Sequence, residues 1–175
     1  MRRFYLLAAV LLVAAGCSNT PSGSPSPSPT AQAVSASPPP GASVVAGGCA
    51  SSQVYRGGIP QWINQATGNN TPDSLPYAIA SPPIAAGFIF GYPLRAGHPV
   101  PNNKILWVVG KPRNGSPLEI TGQLSGASQP SVHQSEPPDS AGEIYPSIVD
   151  VPQPGCWRFD LSWSSQHASV YLAYQ

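Results

Sequence analysis

The sequence predicts an all-β fold, a small antiparallel β-sandwich over residues 47–175. Pro and Gly are so frequent, 23 and 17 in 175 residues, that few windows could hold three helical turns. Short segments rich in β-forming residues recur between turn-like sequences. The last thirty residues alternate apolar and polar side chains, as strands with one buried face do. A β-barrel is the alternative architecture.

The N-terminus has the three zones of an export signal. Residues 1–3 supply two arginines, residues 4–15 are almost purely apolar, and small residues lead to Cys17. A helix needs about 20 apolar residues to span a bilayer, and this run is shorter. Its length is typical of a signal peptide. Residues 14–17, Ala-Ala-Gly-Cys, resemble the lipobox of bacterial lipoproteins. The resemblance implies a signal peptide over 1–16 and a diacylglyceryl lipid on Cys17, carrying acyl chains such as palmitate. An ordinary secretory signal with an incidental Cys is the alternative.

The predicted anchor places the chain on the extracytoplasmic face of the cell membrane. Two acyl chains attach a protein stably, at about 0.8 kcal/mol per buried methylene, without help from a basic patch. After cleavage the chain carries six Lys and Arg against seven Asp and Glu. The near-neutral balance favours neither nucleic acid nor an anionic membrane surface as a partner. The membrane is therefore expected to be contacted through the lipid anchor.

Residues 17–46 are predicted to be the lipidated Cys followed by a disordered tether. Ser and Pro dominate, as in Pro-Ser-Pro-Ser-Pro at 25–29 and Pro-Pro-Pro at 38–40, and aromatic residues are absent. Such a stretch buries too little apolar surface to offset its ordering entropy. Its prolines favour an extended spacer of roughly 3 Å per residue. The folded domain is therefore expected to begin at Gly47.

The middle of the domain contains three predicted strands. In residues 88–92 three alternating aromatics are expected to share one face. Residues 104–110 are rich in β-formers and apolar at successive positions, as in a strand buried on both faces. Residues 118–124 follow after a turn-like sequence, so this strand is predicted to form a hairpin with 104–110.

The clearest pattern lies at the C-terminus. Residues 157–163 alternate without error between apolar and polar side chains, and residues 164–167 form a polar turn. Val170, Leu172 and Tyr174 then mark a second alternating strand. The two strands predict an antiparallel hairpin with one solvated face, which closes a domain of about seven strands.

Cys49 and Cys156 are predicted to form a disulfide, since an even pair in an exported chain favours one. The bond would close a loop of about a hundred residues, which stabilises the fold by roughly 4–5 kcal/mol in the chain-entropy model. Cys156 falls on the same face of the alternating strand as the polar residues Arg158 and Asp160, so we expect the bridge to lie outside the main core. A metal pair or a reactive thiol is the alternative, without support from a Cys-x-x-Cys or a nearby His.

The run Pro-Gly-Cys-Trp-Arg at 154–158, with the residues around it at 145–163, resembles the closing hairpin of a group of uncharacterised bacterial lipoproteins. Residues 104–109, Lys-Ile-Leu-Trp-Val-Val, are also similar to a strand of that group. The resemblance implies an immunoglobulin-like β-sandwich, and it implies no catalytic residues.

Motifs of catalysis and of metal binding are absent from the sequence. Two carboxylates could act together as in a glycosidase, but spacing alone selects no pair among the acidic residues. The candidates are Glu119, Glu136, Asp139, Glu143, Asp150 and Asp160. The histidines His98, His133 and His167 are expected to be scattered surface residues, because a metal site needs several oriented ligands. We therefore expect no catalytic residues, no metal and no cofactor.

Tryptophans offer the remaining candidate for recognition. The strand alternation predicts that three of the tryptophans face the core, namely Trp107, Trp157 and Trp163. Trp62, in the loop-like Ile-Pro-Gln-Trp-Ile at 59–63, is the one candidate for an exposed binding surface, such as a platform for a sugar. Packing against the domain is the favoured interpretation even there.

Two function classes follow from these observations. The first is a membrane-anchored, non-catalytic binding or accessory module whose partner is an extracytoplasmic protein or a glycan. The second is a metal-handling protein or a hydrolase whose site assembles from distant loops. The missing motifs favour the first class.

Overall fold

The computed structural model describes residues 37–97, 103–138 and 141–175. The predicted signal peptide at 1–16, the predicted lipidation site Cys17 and most of the tether lie outside the described residues. The strands and the short helix, in chain order, are β1 Ser43–Val45, β2 Val54–Arg56, α1 Gln61–Ala66, β3 Tyr77–Ile79, β4 Ala85–Ile89, β5 Lys104–Val109, β6 Leu118–Leu124, β7 Val132–Glu136, β8 Ile144–Ile148, β9 Gly155–Trp163 and β10 Gln166–Tyr174.

The strands form two antiparallel sheets packed as a sandwich, which confirms the predicted fold class. One sheet has the order β1-β2-β3-β4-β5-β8 and the other has the order β10-β9-β6-β7. The C-terminal hairpin is confirmed, with Trp163 opposite Gln166 and Gly155 opposite Tyr174. The described residues form more strands than the seven predicted, because several strands have only three residues and carry little periodicity.

The main core lies between the sheets and is built by the alternation seen in the sequence. In β9 the side chains of Trp157, Phe159, Leu161 and Trp163 point inward and are at most 2% exposed. Their polar neighbours along the strand face outward, as period two requires. Trp107 enters the same core from the opposite sheet. The prediction of three core tryptophans is therefore confirmed.

A second apolar layer covers the outer face of the six-stranded sheet. One row of side chains crosses all six strands in register: Val44, Tyr55, Tyr77, Phe88, Leu106 and Pro146. The aromatic rings of Tyr55, Tyr77 and Phe88 pack with centroids 5.7 and 5.6 Å apart. Helix α1 packs on this face through Ile63 and contacts β5. β5 is therefore apolar at successive positions because one of its faces meets the main core and the other meets this layer.

The predicted hairpin of 104–110 with 118–124 is wrong. β5 pairs with β4 and β8, whereas β6 pairs with β7 and β9 in the other sheet. The connection between them crosses from one sheet to the other. A strand apolar on both faces needs neighbours on both edges and layers on both sides, and the interior of the six-stranded sheet supplies them.

The predicted shared face of the aromatics in 88–92 is wrong for Tyr92, because β4 ends at Ile89. Phe88 is buried in the outer layer and Phe90 is exposed. Tyr92 lies beyond the strand, packs against the main core, and donates its hydroxyl hydrogen to the Ala46 carbonyl at 3.2 Å.

The predicted start of the domain at Gly47 is too late. β1, within the predicted tether, pairs with β2, and Val45 packs against the main core. Further upstream the Ala42 amide donates to the Pro39 carbonyl at 3.0 Å. Backbone pairing needs no large apolar side chain, so composition alone did not reveal these ordered residues.

Candidate binding surface

Trp62 is the residue that the sequence left open as a binding surface. It lies in α1 rather than in a loop, is half-buried, and packs with the outer apolar layer. A Cβ at Gly110 would lie 2.9 Å from Cε3 of the Trp62 ring, so the indole rests on backbone just after β5. Packing, the interpretation that the sequence favoured, accounts for this residue.

The histidines and carboxylates of the described residues do not gather into a metal centre. His133 lies on β7 and His167 on β10, both exposed, whereas His98 and Asp139 lie outside the described residues. Within 37–97, 103–138 and 141–175, no group of three or more His, Cys, Asp or Glu side chains could hold a metal ion.

The outer face of the four-stranded sheet carries the arrangement closest to a hydrolytic site. Ser162 stands opposite His167, and Asp160 stands opposite Ser169. Asp160 is engaged by its strand neighbour Arg158, whose Nε and Nη2 lie 3.0 and 2.8 Å from Oδ1. The ion pair directs the carboxylate to the guanidinium, so the arrangement forms a solvated polar face rather than an oriented acid–base pair.

The predicted disulfide joins Cys49 to Cys156, with an S–S distance of 2.02 Å and a Cα–Cα distance of 5.9 Å. Cys49 lies in the loop between β1 and β2, and Cys156 is near the start of β9. The bond thus links the two sheets. Neither Cys is among the residues of the main core, as the parity of Cys156 predicts.

Exposed apolar side chains converge at one end of the outer face of the six-stranded sheet. Phe90 follows β4 directly, and its amide donates to the Lys104 carbonyl at 2.9 Å. Lys104 stands opposite Ile148 on β8. Phe90 and Ile148 are 44% and 47% exposed, and Lys104 Nζ lies 5.0 Å from the Phe90 ring centroid. The row therefore presents an aromatic ring, a cation and an aliphatic side chain side by side.

The strand at this end is the edge of its sheet, and two features keep it from pairing further. Pro146, exposed in the middle of β8, has no N–H to donate. The Gln134 side chain from β7 donates its Nε2 hydrogen to the Ile148 carbonyl at 2.7 Å. These contacts fit an edge that offers side chains, and not backbone, to a partner.

A shallow depression of about 540 Å³ runs beside this row, lined by Lys104, Glu136, Pro146, Ser147 and Ile148. Glu136 ends β7, the strand that borders β8 from the other sheet. We call the set Phe90, Lys104, Glu136, Pro146 and Ile148 the Phe90 surface. It combines three apolar side chains with one charge of each sign.

Sequence reasoning missed the Phe90 surface, although two signals pointed to it. Gly91, directly after Phe90, indicates that the strand ends at this point. A side chain at the end of a strand has fewer neighbours to cover it than one in the middle. Pro146 between Ile144 and Ile148 indicates an edge strand. Together they predict exposure for apolar side chains that periodicity alone assigns to a core.

Comparison with known proteins adds no family. No protein-family model, no curated protein and no solved structure matches this chain. In the part of the chain that the structure describes, no helix has the length and apolar character needed to cross a membrane.

Proposed function

We propose that this chain is a lipoprotein anchored on the extracytoplasmic face of the cell membrane, and that its β-sandwich is a non-catalytic binding module. The observation that carries the proposal is the Phe90 surface. Exposed apolar patches rimmed by polar groups mark interaction sites. Phe90 and Ile148 are two of the three large hydrophobic side chains that stand exposed among the described residues, and they share one row.

The chemistry of the surface favours a protein partner over a glycan. Three of its five side chains are apolar, Ile148, Pro146 and Phe90, and Lys104 packs against the Phe90 ring. Protein hot spots likewise combine aromatic and apolar anchors with neighbouring groups that exclude water. A glycan site needs more hydrogen-bonding side chains around its aromatic ring than Lys104 and Glu136 supply.

The position of the surface suits a tethered module. The chain enters the sandwich through β1, at one edge of the six-stranded sheet, while the Phe90 surface spans the opposite edge. From β1 to β5 there are four strand spacings, roughly 19 Å at about 4.8 Å each. A partner bound there would therefore lie away from β1.

The anchor and the binding surface are tested separately. Cys17→Ser is expected to abolish lipid attachment and to release processed protein from the membrane fraction, which mass spectrometry and cell fractionation measure. Mature protein that starts at another residue, or that lacks a lipid mass, would show the anchor proposal to be wrong.

For the surface, a photo-crosslinking amino acid is placed at Phe90 in the full chain in intact producing cells. The matched control is the same probe at Val44, which is 53% exposed at the opposite edge. A discrete protein adduct is expected from position 90 and not from position 44. Absence of any adduct, or equal adducts at both positions, contradicts the proposed binding role.

A further inference from the structure

Three exposed side chains of the Phe90 surface form a row across neighbouring strands. The Phe90 amide donates to the Lys104 carbonyl at 2.9 Å, and Lys104 stands opposite Ile148. The cation therefore lies between an aromatic and an aliphatic side chain. We infer that this row binds an amphipathic α-helix of a partner protein, whose apolar stripe is interrupted by one acidic residue. The inference rests on the proposed binding function and names the kind of partner.

The spacing of the row matches a helix. Neighbouring strands lie about 4.8 Å apart, so the row from Phe90 to Ile148 spans roughly 10 Å. Residues i and i+7 of an α-helix are about 10.5 Å apart along the axis, and residue i+3 or i+4 lies between them on the same face. Three alternate residues of an extended strand span more, roughly 13 Å. A helix can therefore place one side chain against each member of the row.

The surroundings of the row favour a helix over an added strand. Pro146 in β8 has no N–H to donate, and the Ile148 carbonyl already accepts a hydrogen bond from Gln134 Nε2 at 2.7 Å. A partner strand would pair with the backbone of this edge, where these groups are missing or engaged. The same face of the sheet already carries helix α1, which packs there through Ile63 and contacts β5. The row is thus an uncovered part of a face that packs a helix elsewhere.

Lys104 determines the charge expected of the partner. A purely apolar stripe laid over Phe90 and Ile148 would remove the Lys104 ammonium group from water without a counter-charge, which costs free energy. A carboxylate midway along the stripe supplies the counter-charge and accepts a charge-assisted hydrogen bond. Glu136 is engaged within the chain, so Lys104 is the charge of this surface with which a partner is expected to pair.

Peptides and a photo-crosslinking side chain test the charge preference. One row of side chains buries less than the ~1,200 Å² of a stable interface, so a covalent trap is used for a weak contact. The full lipidated chain, with an aromatic photo-crosslinking side chain at Phe90 or at the control position Val44, is placed on phosphatidylcholine vesicles. Three alanine-based helical peptides are compared, each with Leu at positions i and i+7 and with Glu, Gln or Lys at i+4.

The Glu peptide is expected to give roughly three to five times more adduct at position 90 than the Gln peptide, and the Lys peptide the least. At position 44 the three peptides are expected to react alike. Equal adducts from the three peptides at position 90 would overturn the inference. An extended peptide with Leu, Glu and Leu at alternate positions is expected to react less than the Glu helix, and an equal or larger yield would reject the helical geometry.

Charge reversal assigns the preference to Lys104. In the Lys104→Glu variant the order is expected to invert, so that the Lys peptide gives the most adduct at position 90 and the Glu peptide the least. The matched control Lys104→Arg keeps the positive charge and is expected to keep the original order. Urea unfolding checks that the variants retain the parent fold. A preference for the Glu peptide that persists in Lys104→Glu would refute the inference.

The inference and the proposed function fail differently. In producing cells, mass spectrometry identifies the partner segment attached at position 90. A helical segment with an acidic residue between apolar residues supports both. A discrete adduct on a segment without that pattern leaves the binding function standing and rejects the acidic helix. If no adduct forms in cells, the proposed binding function is rejected whatever the peptides show.

Discussion

Gly87 of β4 lies directly opposite Trp107 of β5, and a Cβ at position 87 would come within 2.7 Å of Cζ3 of the indole. The absence of a side chain at 87 is what lets the Trp107 ring lie flat over the neighbouring strand inside the main core. This pair shows how the sandwich accommodates a large aromatic without opening the sheet.

Gly87→Ala is therefore expected to destabilise the domain by about 1–3 kcal/mol, the usual cost of overpacking. Urea unfolding measures the change. The control is the same substitution combined with Trp107→Phe, whose smaller ring leaves space for the methyl group. If the cost of Gly87→Ala is the same in both backgrounds, the two residues are not coupled and this explanation is wrong.

Reduction of the Cys49–Cys156 bond is expected to lower the melting temperature, because the bond closes a long loop, with a sequence separation of 107, and links the two sheets. The chain-entropy model gives a loss of roughly 4–5 kcal/mol. Thermal unfolding of the domain with and without reductant measures the loss, with the Cys49→Ala, Cys156→Ala double variant as the comparison. Two thiols that titrate in the folded, air-exposed protein would contradict the bond.

A chain beginning at Gly47 is expected to be less stable than one beginning at Ser37, by about 1–2 kcal/mol. It loses the backbone hydrogen bonds between β1 and β2, each of which contributes a net ~1 kcal/mol relative to bonds with water. It also loses the packing of Val45. Denaturant unfolding of both chains measures the difference. Equal stabilities would show that β1 contributes nothing and would restore the tether boundary that composition suggested.

Alkaline pH is expected to destabilise the domain through Tyr77. Burial raises the pKa of its phenol to about 12, with a smaller contribution from Tyr55. The folded state holds the proton more tightly than the unfolded chain, whose phenol titrates near ~10. This contribution to stability is thus present below pH ~10 and is lost as pH rises from ~10 towards ~12.

The Tyr77→Phe variant tests this assignment. Its free energy of unfolding, measured in urea at several pH values between ~9 and ~11, should fall less steeply with pH than that of the parent. It also removes the hydroxyl that lies 3.1 Å from the carbonyl oxygens of Gly57 and Gly58, so a lower baseline stability is expected. An unchanged slope would assign the alkaline loss to other groups, among them Tyr174, whose pKa burial also raises.

The sequence by itself determined what local patterns encode. The alternation of 157–163 predicted which side chains of β9 face the core, and the burial of Trp157 and Trp163 follows it. The alternation of β9 placed Cys156 on the outer side, and an even pair of cysteines in a chain that the sequence predicts to be exported predicted the bond to Cys49. The burial of alternate side chains could be predicted because it depends on neighbours along the same strand. The disulfide could be predicted because it depends on the residue type.

Only the tertiary structure decided which strands pair and which apolar residues stay uncovered. β5 and β6 are consecutive strands, yet β5 lies inside the six-stranded sheet and β6 inside the four-stranded sheet. Phe88 and Phe90 differ by two positions and have the same parity, but the outer apolar layer buries the first and leaves the second at 44% exposure. Phe88 is covered by side chains from distant parts of the chain, among them Ile63 of α1, and the local sequence pattern does not encode such contacts.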